Sequence, residues 1–304
     1  NGEEHFFPII YEGNGAGQRV GKFVPFTDNG AIANSVIFNR SDNPELSRTP
    51  SSGGNRRTFT VSVWVKLASH FGTRRIFFSQ GPAGSGNNYF LMEVDASNKL
   101  YISANDGSGV EDLSLITNRT FEDTSKFYHI LLAVDTTQST ASNRAKLYVD
   151  GDQITSFSTE TYFGQNYDTN VNHTEKLVVG EYTSTAYAFD GYMAEVNLVD
   201  GQALTPDTFG LTDTSTGRWI PKALTGITYG TNGFRLQFGS SSALGDDTSG
   251  NTNDFSVTNL VAGDQTTDSP TQNHATFSPS FSSASMLLSE GNLTVTQNSN
   301  ANYE

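Results

Sequence analysis

Thr58-Phe59-Thr60-Val61-Ser62-Val63-Trp64-Val65-Lys66-Leu67 decides the fold class. Every odd position is apolar, while Thr60, Ser62 and Lys66 fall on the other side. That period of two is a strand with one buried face. Trp64 alone breaks the rule. The same grammar recurs along the chain. Strands are expected at 75–79, 88–95, 99–104, 127–135, 145–149, 153–157, 175–182, 189–199, 233–238 and 255–260. Turn chemistry separates them, at Gly81-Pro82, Asn105-Asp106-Gly107 and above all Asp150-Gly151, where glycine supplies the positive φ a tight hairpin needs. One short helix is expected at Thr205-Pro206-Asp207-Thr208-Phe209, with Thr205 as cap and Pro206 in its first turn. Many short strands and almost no helical periodicity mean an all-β, antiparallel sandwich or barrel.

Composition agrees. The 304 residues are 35% hydrophobic and 16% charged, with 21 Phe and 12 Tyr, so the chain is polar yet too aromatic to be disordered. No run approaches the roughly 20 apolar residues of a membrane span. A net charge of −14 leaves no concentrated basic patch for a nucleic-acid backbone. With no cysteine, disulfides, zinc-thiolate sites and thiol nucleophiles are excluded. The first residues, Asn1-Gly2-Glu3, suggest a processed chain or a piece of a longer one.

The expected organisation is a Gly-rich extended arm over 1–33, a sandwich over 34–210, a β extension completing or flanking it over 211–276, and a linker and strand over 277–304. Leu287–Thr296 reads as one isolated strand that needs a further domain or a partner chain to pair with.

Two groups of motifs carry a family likeness. Tyr128–Asp135 with Lys146-Leu147-Tyr148-Val149-Asp150-Gly151, and Leu177–Gly180 with Phe189-Asp190-Gly191-Tyr192-Met193-Ala194-Glu195-Val196, resemble laminin-G-like, concanavalin A-like jelly-roll domains. A narrower likeness covers Ser47–Thr60, Asp190–Val196, Asp200–Pro206 and Asp247–Asn251, which look like laminin-G-like proteins of marine tailed bacteriophages. The resemblance implies a jelly-roll sandwich on a virion surface, as tail fibre or capsid-associated protein. Its partners would be other virion proteins, itself as a homo-oligomer, and a host cell-surface glycan. In that family the stretch at Ser289–Thr296 leads into another β-sandwich. A purely structural fibre or decoration role, and less so a secreted adhesin or glycanase, are the alternatives.

No enzyme is expected. Retaining glucanases of this class need Glu-x-Asp-x-x-Glu, which brings two carboxyls to about 5 Å. Glu93-Val94-Asp95 lacks the last acid, and Glu195-Val196-Asn197 lacks the middle one. His129 lies in an apolar strand and reads as structural. A glycan or partner site would draw on the loop aromatics and polar groups Tyr162, Phe163, Asn166, Tyr167 and His173, with Tyr182 and Tyr187 from a second loop. If a cofactor binds it would be calcium, on the oxygens of Asp246, Asp247, Asn251, Asn253 and Asp254. The same residues would also make an Asx-rich turn bonded to its own backbone.

Overall fold

The computed structural model describes residues 30, 32–68, 72–82, 88–182, 187–279 and 286–297. Except for Gly30, Ile32 and Ala33, the arm expected over 1–33 lies outside them. The strands are β1 (Ser35–Phe38), β2 (Glu45–Arg48), β3 (Thr58–Leu67), β4 (Arg75–Gln80), β5 (Asn88–Val94), β6 (Lys99–Asp106), β7 (Glu111–Thr120), β8 (Tyr128–Asp135), β9 (Ala145–Val149) and β10 (Asp152–Gln153). They continue with β11 (Phe157–Thr161), β12 (Leu177–Val179), β13 (Gly191–Asp200), β14 (Gly210–Thr212), β15 (Trp219–Pro221), β16 (Phe234–Leu236), β17 (Ser256–Thr258), β18 (Gln265–Thr266), β19 (Met286–Ser289) and β20 (Thr294–Gln297).

Two antiparallel eight-stranded sheets form the sandwich. The first runs β10-β9-β8-β3-β13-β1-β18, with β16 also on β13; the second runs β11-β7-β6-β5-β4-β12-β2-β17. Between them lies one apolar core. The alternating residues of β3 (Phe59, Val61, Val63, Val65, Leu67) meet Phe78, Phe90, Met92, Leu100, Ile102, Leu113 and Leu115 of the second sheet. The expected fold class, an all-β antiparallel jelly roll, is the one observed. The turn at Asp150-Gly151 closes the β9–β10 hairpin, with φ of 51° and 88°.

Three expectations need correcting. A ten-residue strand, β7, was missed because its inward positions end in a polar residue. Thr117 is fully buried and accepts the Leu100 amide through Oγ1 at 3.1 Å while donating to the Arg119 carbonyl at 2.7 Å. The strand expected at 153–157 is instead two short pieces, β10 and β11, on different sheets. Leu287–Thr296 is no lone strand either: β19 and β20 pair with each other, turning through Glu290, Gly291 and Asn292, all at positive φ.

The other face of β3 is not open to solvent. Thr60, Ser62, Trp64 and Lys66 are at most 4% exposed. An outer layer from the chain after Asp200 covers them. Phe209, Trp219, Leu224, Ile227 and Tyr229 pack over β8 and β13. Lys66 sends its ammonium to Asp268 Oδ2 at 2.8 Å, Asn273 Oδ1 at 2.9 Å and the His274 carbonyl at 2.8 Å. Trp64 breaks the alternation because its side of the strand has an apolar layer of its own. The short helix is a single 3-10 turn, Pro206–Thr208.

Candidate functional site

The loop after β11 crosses one end of the sandwich, and the core anchors it. Phe163 is fully buried and stacks under Tyr167, centroids 5.1 Å apart. Phe163 is therefore a foundation rather than a surface contact, contrary to expectation. Asn166 takes a left-handed turn (φ 61°) and donates its amide to the Thr136 carbonyl at 2.8 Å; Thr136 Oγ1 donates to the Tyr167 carbonyl at 2.8 Å. The Tyr167 hydroxyl reaches Asp112 Oδ2 at 2.8 Å. Tyr162 is half-buried against the core.

Held this way, Tyr167 lines a polar cleft of about 150 Å³ with Arg56, Asn88, Asp106, Asp168, Asn170, His173 and Glu175. Arg56 fixes the loop by donating to the Thr169 carbonyl at 2.6 Å and the Asp168 carbonyl at 3.0 Å. Asn170 donates to Asn88 Oδ1 at 2.6 Å, and His173 Nδ1 lies 3.6 Å from Glu175 Oε1. Two of the expected residues, Tyr167 and His173, thus share one cleft, with Asn166 in the same loop.

Tyr182 and Tyr187 lie elsewhere, on the outer face of the second sheet. The rings of Tyr89 and Tyr182 meet edge to face at 6.2 Å. Arg74 stacks 4.8 Å over Tyr187 and grips Glu93 at 2.8 Å. Tyr101 donates to Glu111 Oε1, toward which the Tyr89 hydroxyl also points at 3.5 Å. Burial and then the bond to Glu111 push the Tyr101 phenol up; burial and Asp112 do the same for Tyr167, so both remain hydrogen donors. The cleft and the tyrosine face draw on consecutive residues of the same two strands, Asn88 and Tyr89 on β5 and Asp112 and Glu111 on β7, each pair holding one residue for either surface. The sequence reading missed Tyr89, Tyr101, Glu111 and Asp112. The signal was Tyr89 before Phe90 on one strand and Tyr101 between Leu100 and Ile102 on the next, an outward tyrosine beside inward apolar residues.

The acid-rich loop 246–254 closes on itself. Asp247 accepts the amides of Arg235, Ser249 and Asn253 and the Ser249 hydroxyl, all within 2.9 Å, and Asp254 Oδ1 accepts the Asp247 amide at 2.9 Å. Asn251 donates to the Gly230 and Gly233 carbonyls, and Asn253 donates to Thr231 and Gly233. Asp247 and one oxygen of Asp254 are thus taken up within the loop and by Arg235, which is the Asx-rich turn the sequence also allowed. Among the described residues, no three His, Asp or Glu side chains converge as a metal-holding group.

Ser62 and His129 form a contact that resembles a nucleophile and its base, at 2.8 Å. It cannot act as one. Trp219 Nε1, which can only donate, sits 3.1 Å from His129 Nδ1. That nitrogen must therefore accept. Full burial holds the ring's pKa down to about 3, so it is neutral. The single ring proton is then on Nε2 and points at Ser62 Oγ, which is the reverse of what a general base needs.

Residues 29–208 match the Laminin_G_3 model, described as Concanavalin A-like lectin/glucanases superfamily. The match covers more than half of the chain, and the chain belongs to this family. No curated protein matches it. Among solved structures it is similar to a heptameric SAP-like pentraxin of Limulus polyphemus, at 15% identity and TM-score 0.42, covering 66% of this chain and 89% of that one. A Bacteroides ovatus protein assigned a carbohydrate-binding role matches at 13% and 0.46, covering 75% and 58%. The Ruminococcus gnavus IT-sialidase CBM40 bound to α2,3-sialyllactose matches at 16% and 0.36, covering 53% and 95%.

Proposed function

We propose that this chain is a non-catalytic carbohydrate-recognition module displayed outside the cell on a virion surface, where it contacts host glycans. The observation that carries the reading is the Tyr167 cleft, a tyrosine ring fixed among Arg56, Asn88, Asp106, Asp168, Asn170, His173 and Glu175, with a second tyrosine cluster of Tyr89, Tyr101 and Tyr182 on the outer face of the same sheet. Tyr101 and Tyr167 are held in place by Glu111 and Asp112, and amides and carboxylates lie beside Tyr167. Sugars are bound this way, by an apolar ring face ringed with hydrogen-bonding groups. The lectin/glucanase family of the fold supports it. The locked Ser62–His129 pair, and the capture of Glu93 by Arg74 and Glu195 by Arg235, argue for binding rather than turnover. The virion setting rests on the phage-like segments Ser47–Thr60 and Asp190–Val196. A glycan array followed by calorimetry tests the reading. Tyr167→Ala should weaken the best ligand by about tenfold, the scale of a lost aromatic anchor. Unchanged affinity in Tyr167→Ala and Tyr89→Ala together would overturn it.

A scaffolding role has an observation of its own. Leu287, Leu293, Met286 and Val295 of the β19–β20 hairpin are 38–52% exposed. Covering them with a second copy of the chain would make the protein a homo-oligomer. Sedimentation should then show an assembly that Leu287→Ser with Leu293→Ser converts to monomer. A wild-type monomer at all accessible concentrations would count against it.

A further inference from the structure

The outer layer that covers the first sheet does not close completely. Over the bulge in β13 it leaves a cavity of about 240 Å³, lined by Ile32, Ser62, Trp64, Glu195, Asn197, Phe209, Pro221, Leu224 and Arg235, with Gly30, Lys222 and Ala223 at its margin. Phe209, Pro221–Leu224 and Arg235 lie beyond residues 29–208, so the cavity is formed jointly by the family segment and the chain that follows it.

Its polar groups specify a ligand. Glu195, forced to a φ of 48° where the pairing of β13 with β3 slips, meets Arg235 in a two-point ion pair: Nε to Oε2 at 2.9 Å and Nη2 to Oε1 at 2.8 Å. Gln237 donates a further bond to Glu195 Oε1 at 3.3 Å. The carboxylate is thus occupied, and the pair is neutral as a unit. Three donors remain. Ser62 accepts from His129 Nε2 and keeps its own hydroxyl hydrogen. Asn197 accepts the Tyr229 hydroxyl at 2.8 Å and spends one amide hydrogen on the Glu195 carbonyl at 2.9 Å, leaving the second. Arg235 keeps Nη1. Around them stand Ile32, Trp64, Phe209, Pro221 and Leu224. A neutral floor with spare donors inside apolar walls suits an uncharged molecule that brings a carbonyl oxygen on an apolar body. A cavity below the 300–1,000 Å³ of drug-sized sites limits that body to about one ring.

The geometry points to a second ligand site, on the sheet opposite the tyrosine cluster, that takes small uncharged acyl compounds (amides or esters) and rejects the corresponding acids. The buried donors are satisfied by the carbonyl, and a carboxylate would set an unpaired charge beside Glu195.

The probes are 2-phenylacetamide and its isosteric anion phenylacetate, titrated into the whole protein and followed by the two tryptophan indole N–H signals in NMR. The amide should shift the Trp64 signal saturably, with millimolar affinity, and phenylacetate should bind at least about tenfold more weakly, as sites that read a polar group discriminate. Ala223→Phe, a change at an exposed margin residue, should abolish the response while leaving glycan binding at the Tyr167 cleft intact. No saturable shift, equal binding of the anion, or unaltered binding in Ala223→Phe would each overturn the assignment. Tyr167→Ala should leave amide binding unchanged, which keeps the two sites' tests separate.

Discussion

His129 sits at the centre of the outer layer. Trp64 stacks on it at 4.8 Å, Trp219 at 6.0 Å, and both ring nitrogens are used. Its proton affinity falls from an ordinary 6.5 to about 3 because burial strips water from the charged form. Between those values the unfolded chain binds a proton that the folded one refuses. Stability therefore rises with pH across that window, is complete above about 6.5 and is lost progressively toward 3. The span is worth at most about 5 kcal/mol. Thermal melts from pH 7 to pH 4 should show a steep fall in wild type and a shallower one in His129→Gln; equal slopes would exclude this histidine as the cause. The sequence showed a histidine in an apolar strand and so its structural role. It did not show the tautomer, because Trp219 lies 90 residues away and reaches the ring only through the fold. Glu195 was likewise legible only as a broken catalytic motif, since its partner Arg235 belongs to a later strand.

Among the elements, those written in short-range pattern were readable. β3 follows from its alternation and the β9–β10 turn from Asp150-Gly151. β7 and the terminal hairpin were not, for opposite reasons. β7 hides a buried threonine that bonds its own backbone. The hairpin was masked by a turn, Glu290-Gly291-Asn292, whose left-handed conformations include two non-glycine residues. That turn also docks the hairpin. Tyr192 donates to the Gly291 carbonyl at 2.5 Å, and Asn292 donates to the Ala68 carbonyl at 2.6 Å. A Cβ on Gly291 would sit 2.5 Å from the Tyr192 ring at a φ of 60°. Gly291→Ala should cost about 1–3 kcal/mol at this position. Hydrogen exchange should then quicken in residues 286–297 and stay slow in β3 and β13. Uniform loss of protection would instead mean that the hairpin supports the whole sandwich.

At the scale of the molecule, strands from beyond the family segment complete both of its sheets. β1 is flanked by β13 and by β18, whose pairing joins Ser35 to Thr266 across 231 residues. β16 fills the other half of the β13 edge, and β17 covers β2. A fragment ending at residue 208 would lose all three strands and the layer over Trp64, Lys66 and His129. Open strand edges and bared apolar surface promote association. A fragment of residues 30–208 should aggregate or lack near-ultraviolet dichroism, whereas residues 30–279 should remain soluble and folded. Equal behaviour would show the later strands to be dispensable. The expected boundary near 210 marks where the family match ends, and the polar chain beyond it folds back onto both sheets. The expected extension over 211–276 and its strands at 233–238 and 255–260 pointed this way, but the outer layer did not show, because Trp219 and Tyr229 are spaced without periodicity and cover the first sheet only in the fold.

The stacked column of Trp64, His129 and Trp219 has an optical consequence. It holds both tryptophans of the chain, and an imidazolium between them would drain their excited states, whereas the neutral ring does so weakly. Emission from this protein therefore reports on one place only, the seam between the first sheet and the layer laid over it. A dimming on acidification that precedes the loss of β-sheet signal would mark that layer lifting away while the sandwich beneath it is still whole.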